Sequence, residues 1–308
     1  MNIQNDTPAT ALRRRMTEDM QGRNLGPHSQ RNYLNSCARF AAFLGRSPDT
    51  ATADDIRRFQ LFLIENGASI CSRNRIMTGV RFLFRVALRR HDLAAEIYHL
   101  KEPQKIPLVM SQDEVRRLLA MAANIKARVM LSLAYGCGLR TGEVVRLRVG
   151  DIDSAQNIIR IVQSTGRKDR NVMLPADILG LLRPWWRERP TRHDADAPMA
   201  QRWLFPGYKP GRPLTTRQFS RLFHETVAAA GIKKPVTLHS LRHSFATHLL
   251  ERGVDIRVIQ ALLGHHKLET TARYTRVATG MISAVESPLG DLGARQRKRR
   301  KTGGGASG

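Results

Sequence analysis

Acidic residues, cysteines and long apolar runs are all scarce in this chain, and each scarcity closes off a class of protein. Only three cysteines, Cys37, Cys71 and Cys137, stand among 308 residues. Their number is odd and their spacing matches no metal-ligand pattern. Neither a disulfide framework nor a zinc knuckle is expected, and all three should be reduced and structural. No apolar stretch reaches the roughly 18 residues of a membrane-spanning helix. Residues 1–26 are polar and charged where a signal peptide needs an apolar core, which points to the cytoplasm. The acidic shortage has the widest consequence: 26 Asp and Glu face 51 Lys and Arg, a formal net charge of +25. A polyanion is therefore the natural partner. Nucleic acid leads, because neutralising phosphates and releasing their counterions supplies most nonspecific affinity for DNA. An anionic membrane competes but has no span or leader to support it.

What the chain does contain is ordinary for a folded protein, with 42% hydrophobic and 25% charged residues. Its length suggests about two domains. Residues 10–90 have apolar positions three and four apart, the period of helices, and four are expected. Tyr33, Cys37, Phe40, Ala41 and Leu44 line one face of the second, which Pro48 ends. Thr52 with Asp55 marks the start of the third, carrying Ile56, Phe59 and Leu63. The fourth should run over 70–90 with Ile76, Val80, Leu83, Phe84 and Ala87 inward. Arg73, Arg75, Arg81, Arg85, Arg89 and Arg90 surround that stripe with almost no acidic neighbour on the same helix. A solvated face usually mixes signs, so this one is a candidate DNA surface.

Residues 8–98 thus form a helical domain, and 99–110, with Pro103, Pro107, Lys101 and Lys105, read as a basic linker. Ser111 and Glu114 have capping-box spacing and open a second domain, 111–286. It is helical except for a hairpin: 157–163 alternates, 164–169 is a polar turn around Gly166, and 170–174 is extended. Later helices are expected at 216–230, 240–252 and 255–263, the last closed by Gly264. Residues 287–308 hold a basic run and a Gly-rich finish, expected as a disordered arm adding nonspecific DNA affinity.

The chemistry concentrates in 237–274, where His239, Arg242, His243, His248, His265, His266 and Tyr274 crowd together. His239 and His243, one helical turn apart, could begin a metal site, but no acidic third ligand or general base accompanies them. They could be core and surface residues. Phosphoryl transfer is the third reading, and it needs an arginine pair, proton-handling groups and a nucleophile.

The run Leu238-His239-Ser240-Leu241-Arg242-His243-Ser244, then Leu262-Leu263-Gly264-His265, then Thr271-Ala272-Arg273-Tyr274, resembles the C-terminal signature of the tyrosine recombinases, or phage-integrase family. Upstream, Gly138-Leu139-Arg140-Thr141-Gly142-Glu143 resembles that family's first arginine motif. The likeness covers about residues 10–286, and its overall style is that of bacterial and integron-type integrases. It implies a mainly helical fold with a small β-hairpin or sheet: an N-terminal four-helix core-binding domain and an α+β catalytic domain that clamp duplex DNA between them. It implies Tyr274 as nucleophile, Arg140 and Arg242 on the phosphate, His239 and His265 donating hydrogen bonds or moving protons, and Glu143 as a buttress. Tyr33, Tyr98, Tyr135 and Tyr208 lie off the matched positions, as do His243, His248 and His266. The residue types suit the task. A guanidinium presents a planar fork of donors matching phosphate geometry and never loses its charge, and imidazole handles protons near neutral pH.

The resemblance further implies a tetramer on two synapsed sites, in which 278–286 packs on a neighbour, no metal or other cofactor, and a place on the bacterial nucleoid. One position departs from it. The family places a lysine in the hairpin turn to protonate the departing 5′-oxygen, and here that position is Thr165. A threonine hydroxyl is too weak an acid for that role. Lys168 and Arg167, in the same turn, are the candidate substitutes, and the alternative is a DNA-binding protein with impaired cleavage.

Overall fold

The computed structural model describes residues 8–103, 106–162, 169–191, 194–265 and 268–272. The chain divides into two compact units, 1–104 and 105–308.

In the first unit, α1 (Pro8–Gly22), α2 (Pro27–Leu44), α3 (Ala53–Glu65) and α4 (Ile70–Phe82) are followed by a π-helical turn, Leu83–Ala87, and a short α5 (His91–Ala95). Local chemistry sets the boundaries. The Thr52 side chain accepts from the Asp55 backbone N–H while the Asp55 carboxylate accepts from the Thr52 backbone N–H, a closed capping box that starts α3. Gly45 takes the left-handed conformation that ends α2. The core packs Phe40 against Phe59 and Phe84, with ring centroids 5.0 and 5.8 Å apart, together with Ile56, Leu63, Ile76 and Val80.

The fourth helix does not continue regularly to Arg90, as its period suggests. It widens into the π turn where it changes partners: Phe84 stays with Phe40 and Phe59, whereas Leu83 and Ala87 pack on Met16 and Met20 of α1. Arg90 N–H then reaches back to the Phe84 carbonyl at 2.7 Å, and Arg89 between them has φ of 55°. That conformation at a helix end favours glycine and costs an L side chain roughly 1–2 kcal/mol. Arg89→Gly is therefore expected to stabilise the first unit by about 1 kcal/mol. Urea unfolding followed by circular dichroism should show a higher midpoint, and a lower one would refute the strain.

The second unit begins with α6 (Gln112–Ala120), capped by the Ser111–Glu114 box, then α7 (Ile125–Gly136) and α8 (Thr141–Val145). The sheet has one strand more than a hairpin: β1 (Ile152–Asp153), β2 (Ile158–Ile161) and β3 (Arg170–Met173) form an antiparallel meander in the order β1-β2-β3. Register pairs Ile159 with Val172 and Ile161 with Arg170. Ile159, Ile161 and Val172 turn into the core, the alternation a half-buried sheet requires. β1 is too short for its period to register in the sequence. After it come α9 (Ala176–Glu188), α10 (Thr216–Ala229), α11 (Leu238–Glu251), α12 (Ile256–Leu263) and α13 (Leu268–Ala272). α11 starts two residues earlier than expected, with Thr237 as its cap, so His239 lies inside its first turn.

The largest core gathers α7, the sheet, α9 and α10 around Leu131, Phe205, Phe219 and Phe223. A smaller one holds Phe245 and Leu250 of α11 against Ile259 and Leu263 of α12. α11 thereby borders both cores, which fixes the direction of its polar residues. Cys137 is fully buried in the larger core, and that burial pushes its thiol up to about 12, so it is no thiolate near neutral pH.

Candidate active site

Helix α12 ends at Gly264, whose φ of 61° turns the chain sharply. The last carbonyls of a helix have no partner within it and carry the negative end of its dipole. Here three arginines from distant parts of the chain take them. Arg170 Nε donates to the Leu262 carbonyl at 2.9 Å, Arg242 Nη2 to Leu263 at 2.5 Å, and Arg140 Nη2 to Gly264 at 3.5 Å. Arg242 Nη1 also donates at 2.7 Å to the carbonyl of Gly138, a second glycine at positive φ. A Cβ on Gly138 would run into the Phe245 ring, and one on Gly264 would come within 2.9 Å of Arg170 Cδ. Both glycines are needed for conformation and for space.

Glu143 lies at the middle of these cations. Arg170 grips it with two parallel bonds of 2.8 Å, one to each carboxylate oxygen. Arg140 adds a 2.9 Å bond from Nη1 and a 2.8 Å bond from its backbone N–H, while Arg242 Nη1 stands 3.9 Å away. Burial by itself would raise this carboxyl. The Arg170 hydrogen bonds and charge, joined by the Arg140 backbone and side chain, outweigh burial and hold it at about 2. Glu143 is therefore ionised throughout the physiological range.

The site contains more positive than negative charge. Arg140, Arg170 and Arg242 surround one carboxylate, and the Arg242 side chain is only 1% exposed. Arg140 is the accessible member at 22%. A guanidinium carries five N–H donors, and Arg140 spends two of them on Glu143 and Gly264. The rest can take an incoming anion.

His265 completes the network. Its Nε2 lies 3.2 Å from Arg242 Nη2 and its Nδ1 2.9 Å from Thr271 Oγ1. Among the expected site residues, Arg140, Glu143, Arg242 and His265 thus form one connected cluster. His239 sits three residues before Arg242 on α11, exposed, its ring edge-on to that of His243 with centroids 4.8 Å apart. Tyr274, Lys168, Arg167, Thr165 and His266 lie outside the described residues, as do 278–286 and the tail. His248 bonds the Tyr135 hydroxyl at 2.9 Å, and burial lowers its pKa. Among the described residues no group of three His, Cys, Asp or Glu side chains converges as a metal site would require.

A match to the phage integrase family covers residues 109–281, and one to the phage integrase N-terminal SAM-like domain covers 12–91. The chain belongs to the phage integrase family. It is 41% identical to a Sinorhizobium fredii protein, y4qK, named as a candidate integrase/recombinase, over 91% of this chain and 89% of that one. It is 36% identical to the tyrosine recombinase XerA of Pyrococcus furiosus, over 79% of this chain and 82% of that one. The fold of this integrase-family chain is also that of a lambda integrase dimer solved on a core site, at 19% identity and TM-score 0.66, covering 86% and 94% of the two chains. No helix among its described residues is long and apolar enough to cross a membrane.

Two contributors give no notice of their contacts in the sequence. Arg170 closes the hairpin-turn pattern in which position 165 takes the place of the family's lysine, but neither it nor its exposed neighbour Asn171 gives local notice of the bond to Glu143. The accepting carbonyls carry no residue signature beyond Gly138 and Gly264. Of the basic residues expected on DNA, Arg81 and Arg85 line one open cleft with Arg23 and His91, floored by Tyr33, Phe82 and Val86. Arg75, Arg89 and Lys101 are exposed, Arg73 is half-buried beside Asn74 and Tyr98, and Lys105 is outside the described residues.

Proposed function

We propose that this chain is a site-specific DNA recombinase that breaks and rejoins duplex DNA through a phosphotyrosine bond at Tyr274. The observation that carries the reading is the hydrogen-bonded cluster of Arg140, Glu143, Arg242 and His265, the last of which stands nine residues of chain before that tyrosine. A phosphodiester is an anion and resists attack by oxygen unless the charge on its nonbridging oxygens is held. Arg140, with donors left over, and Arg242 beside it supply that charge. Glu143 and Arg170 keep their guanidiniums in place. His239 and His265 serve as proton-handling groups at the same phosphate.

The Tyr274 oxygen attacks phosphorus, its proton passes to a basic group, and the bond to the 5′-oxygen breaks as that oxygen takes up a proton. A 3′-phosphotyrosine and a free 5′-hydroxyl result. The linkage conserves the energy of the broken bond, so the scheme calls for no nucleotide, and it calls for no metal. A 5′-hydroxyl from a partner strand then reverses the attack. The lambda integrase and XerH relatives were solved on DNA, which supports duplex DNA as the partner here. Phosphate contacts are assigned to Arg73, Arg75, Arg81, Arg85, Arg89, Lys101 and Lys105. The working form is a tetramer on two sites, with 8–98 as the core-binding domain and 111–286 as the catalytic one, acting on the bacterial nucleoid.

A nicked substrate built from the DNA flanking the gene tests this. Wild type should give a covalent protein–DNA band, insensitive to chelator, and Tyr274→Phe should give none. A band that persists in Tyr274→Phe, or cleavage that leaves free ends and stops on chelation, would overturn the reading.

A further inference from the structure

The geometry points to Thr271 as a positioning residue whose hydroxyl lets His265 exchange one tautomer for the other during the reaction. The inference rests on the recombinase reading above and concerns how its second histidine is made usable.

A guanidinium has donors and no acceptor. The 3.2 Å approach of Arg242 Nη2 to His265 Nε2 therefore makes Nε2 the lone-pair nitrogen, and the ring proton sits on Nδ1. Nδ1–H then donates to Thr271 Oγ1 at 2.9 Å. In this arrangement His265 cannot donate from Nε2. To hydrogen-bond a phosphate oxygen by that nitrogen, the ring must carry its proton there and accept at Nδ1 instead.

The usual partners of a functional histidine's Nδ1 are carboxylates and backbone carbonyls, which only accept and lock the proton on Nδ1. A hydroxyl differs because it both donates and accepts, and it can rotate. Thr271 accepts from Nδ1–H while Arg242 occupies Nε2. When Arg242 turns its donor to a phosphate, Nε2 takes up one proton from water and Nδ1 of the half-buried ring gives one up to water, after which the Thr271 O–H swings to Nδ1 and Nε2–H points to the phosphate oxygen. No net proton is gained or lost in this exchange.

Burial makes the arrangement definite. Thr271 is 0% exposed, so at this position the hydroxyl is shielded from bulk water as a competing partner. It also sits on α13, three residues before Tyr274, while His265 follows directly on the end of α12. The same hydrogen bond ties the segment leading to the nucleophile to the end of the helix whose carbonyls hold the arginines.

The test compares Thr271→Val, which keeps the shape, with Thr271→Ser, which keeps the hydroxyl. With the nicked substrate at saturation, Thr271→Val should form the covalent complex on the order of 10- to 100-fold more slowly, the scale of losing a functional histidine's orienting partner. DNA affinity and melting temperature should stay near wild type. Thr271→Ser should recover to within a few-fold. In 15N-histidine-labelled full-length protein, His265, assigned by its loss in His265→Gln, should show the proton on Nδ1 without DNA and on Nε2 with it. Equal rates for Thr271→Val and wild type would overturn the inference, as would a Thr271→Ser as slow as the valine variant. If Thr271→Val does not fold, the wild-type spectrum decides, and a proton on Nε2 without DNA refutes the proposal. Failure of the recombinase reading appears separately, as no wild-type covalent band or one that survives Tyr274→Phe.

Discussion

Glu143→Ala is expected to destabilise the catalytic unit by about 3–5 kcal/mol, the cost of removing one partner from a buried ionic cluster. The carboxylate is the common acceptor for Arg140 and Arg170, and Arg242 stands 3.9 Å from it. Arg170 and Arg242 are 9% and 1% exposed, too little for bulk water to take the carboxylate's place. Without Glu143, three cations face one another across the end of α12. Glu143→Gln separates charge from shape: it keeps acceptor oxygen and volume, so its loss should be smaller, while covalent complex formation should still collapse as Arg140 is released. Urea unfolding provides the measurement, and a shift under about 1 kcal/mol for alanine, the scale of an exposed ion pair, would remove Glu143 from the centre of the site.

The same carboxyl predicts an acid limit. It titrates at about 2 in the folded chain against an ordinary value of 4.5. A group with a depressed folded pKa contributes its full stability above its unfolded value and loses it as pH falls toward the folded one. At about 1.4 kcal/mol per pKa step, the gap corresponds to about 3 kcal/mol, lost between roughly pH 4.5 and 2. Glu143→Gln should flatten the acid limb of the stability curve in that window.

How much of this was legible beforehand depended on whether the signal was local. Capping boxes at Thr52 and Ser111, the glycine end of α12 and the inward faces of α3 and α4 are decided by residues within one or two turns, and each could be read from spacing. The π turn could not, because it arises where one helix serves two cores and the second is supplied by Met16 and Met20 of α1, more than sixty residues upstream. The cluster divides in the same way. Arg140 and Glu143 are three residues apart and their pairing follows from helix geometry. The grip of Arg170 on Glu143 spans 27 residues and that of Arg242 on Gly138 spans 104, so neither leaves a trace in spacing. Resemblance supplied Arg242 and His265 as site residues, but said nothing of the carbonyls that hold Arg242 or the hydroxyl beside His265.

Thr165→Lys is expected to accelerate strand cleavage by about two to four orders of magnitude, the range a positioned general acid contributes. The leaving 5′-oxygen is a poor leaving group without a proton, and a lysine ammonium near its ordinary value of about 10.4 can give one where a threonine hydroxyl cannot. Single-turnover cleavage of the nicked substrate measures the rate. A substrate with sulfur in place of the 5′-bridging oxygen supplies the control, since a thiolate departs without protonation. On that substrate wild type and Thr165→Lys should react at similar rates, which ties the acceleration to the leaving group rather than to DNA affinity. Lys168→Ala provides the opposing arm. If Thr165→Lys brings no gain and Lys168→Ala costs about 100-fold or more on the oxygen substrate alone, Lys168 is the acid and the turn has moved its lysine by three positions. If wild type forms no covalent band and Thr165→Lys does, the natural chain binds DNA with its cleavage disabled at this one residue. His239, His265 and the arginine cluster would then be an intact phosphate site waiting on a proton for the leaving group.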